Sequence, residues 1–209
     1  MAQGRRSNYE TWREDWRKRF LSMDHAALLR KLPFLQQEQG MILTPYFNTN
    51  CGVSLTDGTL HAPEPLSLMD EMNIYTLFWY AKDGARLTGE FVPFSQLKDA
   101  SPYGPAFQRG NLAPLAAAFA GHGSLLEKAL LTLNGRKLPT GDVGYEIRPF
   151  PCIPMRVLFW DGDEEFPAQA NLLFDRSATD FIHVESVVSI ASEGARRLAR
   201  FAELSSMIE

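Results

Sequence analysis

Four carboxylates fall within five residues at Asp161, Asp163, Glu164 and Glu165, and Asp175 follows ten residues after the last of them. Like charges this close repel unless water, a cation or a donor relieves them, so the cluster invites chemistry. A hard cation such as Mg²⁺ or Ca²⁺ would take such oxygens, and a carboxylate pair can serve acid–base work. The calcium-loop pattern fails, however. Counted from Asp161, the sixth position is Phe166 where glycine is needed, and the twelfth is Leu172 where glutamate is needed. Two plainer readings stand beside catalysis: a solvated hairpin turn, or carboxylates accepting backbone N–H groups. Asp175 is expected to return near the cluster if the flanking strands pair.

Other candidates are sparse. His25, His61, His122 and His183 show no helical metal-site spacing, and no metal centre is expected. His122 lies between Gly121 and Gly123, where a ligand could approach the backbone. Cys51 and Cys152 are a hundred residues apart and form neither a disulfide framework nor a redox pair. The nucleophile elbow, the phosphate loop and the dinucleotide fingerprint are all absent from the sequence. A softer signal is aromatic. Tyr103, Phe107 and Arg109 fall in a stretch rich in Ser, Pro and Gly from Ala100 to Gly110, read as a loop. Aromatic side chains beside an arginine can line a pocket for a flat or anionic ligand, so Tyr103, Phe107, Arg109 and His122 are the candidate binding residues.

The elements that must position these residues are legible in outline. Ser7 and Glu10 have capping-box spacing, and Tyr9, Trp12, Trp16, Phe20 and Met23 recur at helical intervals, predicting a helix over about 7–32. Met41 to Phe47 and Cys51 to Leu55 read as a hairpin, with Asp57-Gly58 as a second turn. Ser67 and Asp70 repeat the capping spacing before a buried helix, Leu68 to Ala81. Asn111 and Pro114 suit a helix start, Ser124 begins another helix, and a last one runs from Val184 to about Met207. Two apolar strands flank the acidic loop. The fold class is therefore α+β: a single domain over 1–209, its core over about 40–209, with an antiparallel sheet built from hairpins and helices on one face and at the ends.

Bulk composition sets bounds. The chain has 209 residues, enough to bury a core without staples. A net charge of −4 and the lack of a basic patch beyond the first twenty residues argue against a nucleic-acid partner. The longest apolar run, Ile74 to Ala81, is too short to span a bilayer, so no membrane partner is expected. No apolar signal region opens the chain, and the expected compartment is the cytoplasm. Oligomeric state is left open.

Three segments resemble an uncharacterised prokaryotic family, domain of unknown function 3786. They are Leu87–Leu97, Phe150–Pro154, and Trp160–Pro167 with the following Leu172–Asp175. The tail Phe181–Glu185 is also similar, although the family has Pro where His183 stands. The resemblance implies an origin among anaerobic bacteria and archaea. Some relatives carry an added iron–sulfur domain, but this chain lacks the cysteines for a cluster. The resemblance supplies no catalytic residues. Two functions follow as expectations. The first is a non-enzymatic ligand-binding or accessory protein of anaerobic metabolism, taking a small molecule or flat cofactor beside Tyr103–Arg109. The second is a divalent-cation-dependent or acid–base enzyme, hydrolase-like, using 161–165.

Overall fold

The structure, a computed structural model, describes residues 8–206, with side chains to Phe201. Ser7 of the expected capping box and Met207 of the expected last helix lie outside the described residues.

The single helix expected over about 7–32 is two helices. Helix α1 (Asn8–Leu21) buries Trp16 and Phe20, and α2 (His25–Lys31) starts afresh. Asp24 is the reason: its side chain accepts the Ala27 N–H at 2.9 Å and caps a new first turn. The first sheet follows in the order β1 (Gln36–Glu38), β2 (Met41–Tyr46), β3 (Thr49–Ser54) and β4 (Leu60–His61), all antiparallel. The turn between β2 and β3 is Phe47-Asn48, shorter than the three residues expected, with Phe47 at φ 44°. Helix α3 (Leu68–Tyr80) begins with the capping box read from sequence: Ser67 and Asp70 exchange side-chain and backbone bonds.

A short strand, β5 (Phe91–Pro93), leads to a 3₁₀ turn at Phe94–Gln96. From Ser101 to Phe119 the chain is helical almost throughout. A 3₁₀ turn (Ser101–Tyr103) runs into α4 (Gly104–Phe107), a π turn (Gln108–Leu112) and α5 (Ala113–Phe119). The loop expected over 100–110 is therefore a helix. Its prolines mislead, because Pro102 and Pro105 each sit in a first turn where no N–H partner is required; Pro114 opens α5 as its position suggests. Asn111 does not cap α5. It is buried, and its Oδ1 accepts from Ser192 Oγ at 2.8 Å.

Helix α6 (Gly123–Thr132) precedes the second sheet, whose strands are β6 (Arg136–Lys137), β7 (Val143–Phe150), β8 (Ile153–Trp160) and β9 (Gln169–Asp175). Its order is β5-β9-β8-β7-β6, antiparallel throughout. Helix α7 (Ala178–Phe181) and the long α8 (Val184–Ser206) close the chain. The fold is α+β with antiparallel sheets; the hairpins divide between two sheets instead of sharing one. One apolar core serves both, drawing on α1, α3, α8 and the inner faces of each sheet. The Phe47 N–H donates to Pro149 O at 2.7 Å, joining the first sheet to the second. Among the described residues, no helix is long and apolar enough to cross a membrane.

Candidate functional site

Strand β5 ends at Pro93, opposite Leu173, so it flanks only the last part of β9. Beyond it, the chain turns away into the 3₁₀ turn and α4. The space left beside the start of β9, with α4 and α5 as its other wall, is an open groove of about 810 Å³. Its floor includes Phe94 and Phe107, whose rings stack 4.2 Å apart at 10°. One wall is alanine: Ala113, Ala116, Ala117 and Ala120. Their short side chains are what leave room. The opposite side presents Gln169 and Asn171, with Trp160 38% exposed at the rim. Among the described residues, no charged side chain lines the groove. An apolar ligand with amide-matching polar edges would be stabilised there, whereas a carboxylate or phosphate would be desolvated without a counter-charge.

Of the four residues proposed as a pocket, Phe107 lines this groove and the others do not. Tyr103 is half-buried, and its hydroxyl donates to Glu185 Oε1 at 3.0 Å. That bond to a carboxylate holds the phenol proton more tightly and raises its pKa above the ordinary tyrosine value. Arg109 is exposed on the π turn, and His122 is exposed just before α6. Sequence reasoning missed the alanines, Phe94, Trp160 and the two amides. The run Leu115–Ala120 carried the only available signal, a helix face too small to fill the space beside it.

The acidic loop is built from its own carboxylates. Asp161 Oδ1 accepts Gly121 N–H at 2.7 Å and Gly162 N–H at 2.9 Å, fastening the loop to the α5–α6 turn. Asp142 Oδ2 accepts Asp161 N–H at 2.8 Å. Asp163 Oδ1 accepts the N–H groups of Phe166 at 2.7 Å and Glu165 at 2.8 Å, which hold its pKa below the usual carboxylate range. Glu164 and Glu165 are exposed.

Asp175 is not with them. Strands β8 and β9 pair as a hairpin from Trp160–Gln169 to Met155–Phe174, so Asp175 stands at the far end from the loop, opposite Phe91. It stands six steps along the strand from Gln169, about 20 Å away. The pairing that was expected to bring Asp175 back is what carries it away. There it is buried, and its oxygens accept from Thr88, Gly89 and Ser177. Among the described residues, no group of three His, Cys, Asp or Glu is placed to hold a metal ion.

A family model described as domain of unknown function (DUF3786) matches residues 24–197. The chain belongs to that family. No curated protein and no solved structure matches it. The DUF3786 match spans every groove-lining residue and the whole acidic loop. This DUF3786 member keeps both of its thiols in the core. Burial pushes Cys51 up to about 11 and Cys152 up to about 12, so neither is an activated nucleophile.

Proposed function

We propose that this DUF3786 member is a non-enzymatic binding protein whose ligand lies in the groove between α4–α5 and the start of β9. The observation that carries this reading is the lining: stacked phenyl rings, an alanine wall and neutral amides, with no titratable side chain to move a proton. Such a surface suits a flat, largely apolar molecule. An accessory role in anaerobic metabolism, drawn from the family resemblance, and a cytoplasmic setting, drawn from the sequence's cysteine usage and lack of an apolar signal region, accompany the proposal.

A thermal-shift panel of flat cofactors (haem, corrinoids, flavins) tests it, their apolar rings in the open groove and their carboxylates or phosphates left in solvent at its mouth. At a hundred times its Kd, a ligand adds about 2.7 kcal/mol of stability. Ala117→Trp, at an exposed helical position on the groove wall, should abolish the shift while leaving the ligand-free melting temperature nearly unchanged. A panel without a hit, or a hit indifferent to Ala117→Trp, would overturn the groove as the site. Calorimetric titration with Mg²⁺, Ca²⁺ and Mn²⁺ should be flat on this reading. A binding heat lost in Asp163→Asn and Glu165→Gln would move the function to the acidic loop.

A further inference from the structure

The outer face of the second sheet carries an excess of positive charge. Glu146 on β7 has a side chain only 4% exposed, and three arginines converge on it. Its Oε2 accepts from Arg136 Nη2 at 3.1 Å and Arg156 Nε at 3.2 Å, and its Oε1 accepts from Arg148 Nη2 at 3.2 Å. One carboxylate is enough to account for one guanidinium; here it faces three, in a chain whose net charge is −4. Each arginine spends one or two of its N–H groups on the fold and keeps the rest for what lies outside. Arg136 and Arg148 are 67% and 55% exposed. Arg156 lies 3.6 Å over the Phe91 ring, and half-buried Phe91 and Leu173 give the row an apolar flank. The cations spread over β6, β7 and β8 of an exposed sheet face, a shape that a protein surface covers and a small anion does not.

The complementary surface is on the same chain. Asp161 and Asp163 are tied to backbone N–H groups, so the β8–β9 loop has a defined shape. It presents Glu164 and Glu165 to solvent beside Phe166, which is 62% exposed. An acidic loop with an aromatic at its end matches an arginine row with an apolar flank in both charge and polarity.

We propose that the loop 161–166 of one copy docks on the Arg136, Arg148 and Arg156 face of a second copy, giving a symmetric dimer. Loop and row belong to one sheet, so a two-fold axis that seats one loop on the partner's row seats the partner's loop on this row. The contact is made twice, and it is held mainly by charge, so it weakens with salt.

Sedimentation velocity on the full chain at about 0.02 M and about 0.5 M NaCl reads the assembly directly. The expected result is a dimer at low salt that dissociates as salt rises. Glu164→Lys with Glu165→Lys, at exposed positions that leave the fold intact, should weaken association about 100-fold, since like charges then face each other. Arg136→Glu with Arg148→Glu should do the same, with folding checked by circular dichroism. Mixed together, the two variants should recover a heterodimer of nearly wild-type strength, because each reversed surface then meets its complement. A wild-type chain that stays monomeric at low salt overturns the proposal. So does a dimer indifferent to the loop substitutions, which decides the matter even if the arginine variant does not fold.

Discussion

Asp175 shows what a carboxylate does here when it is not a catalyst. Five donors reach its two oxygens: the Thr88 and Ser177 backbone and hydroxyl groups, and the Gly89 N–H. Burial alone would raise its pKa, but these donors outweigh it and hold the group below the usual carboxylate range. A pKa depressed on folding contributes stability above the unfolded value, and that contribution is lost as pH falls through the folded value, here in acid below about pH 4. Asp175→Ala should therefore cost about 3 kcal/mol in urea denaturation at neutral pH. The difference between variant and wild type should shrink at about pH 3. An unchanged difference would mean that the ionised form is not what the donors favour. The sequence singled out Asp175 as chemically relevant, but spacing cannot tell which end of a hairpin a residue occupies until the register is known. Phe107 was singled out as an aromatic beside Arg109 in an expected loop; it lines the groove from helix α4 without Arg109, beside alanines that drew no notice.

At the scale of elements, the reading succeeded where periodicity was long or caps were explicit, as in α3 with its Ser67–Asp70 box and in the strands around the acidic loop. It failed over Ser101–Gly110, where proline and glycine punctuate a run of helical turns read as a loop, while the helix read from Pro114 onward is present as α5. Two glycines test this view from opposite sides. A Cβ on Gly144 would meet Thr140 O at 2.0 Å, because the β6–β7 loop lies directly on that strand. Gly144→Ala should cost about 3 kcal/mol or abolish folding. A Cβ on Gly110 meets nothing within 4 Å, and the position is exposed and helical. Gly110→Ala should be neutral or stabilising by up to about 1 kcal/mol, from lost freedom in the unfolded chain. Chemical denaturation of both variants separates a true helix there from a loop that requires glycine.

The whole molecule is held across its two sheets by α8. Arg197 reaches Asp70 Oδ1 at 3.2 Å and lies 4.6 Å over the Phe47 ring; Tyr46 donates to the same Asp70 oxygen at 2.9 Å. Gly194 leaves room for Met155 of the second sheet and Phe47 of the first. With a shared core as well, both sheets should unfold in one cooperative transition, seen as coincident fluorescence and circular dichroism curves; two separated transitions would divide the chain into independent units. Cys51 and Cys152 extend this idea. One belongs to each sheet region, at β3 and at the β7–β8 turn, and both are hidden from solvent. A maleimide dye would leave closed molecules unmarked and tag only those that have opened. The two thiols thus form a paired stopwatch for spontaneous opening without denaturant, and simultaneous labelling of the two would show that neither half of the molecule opens alone.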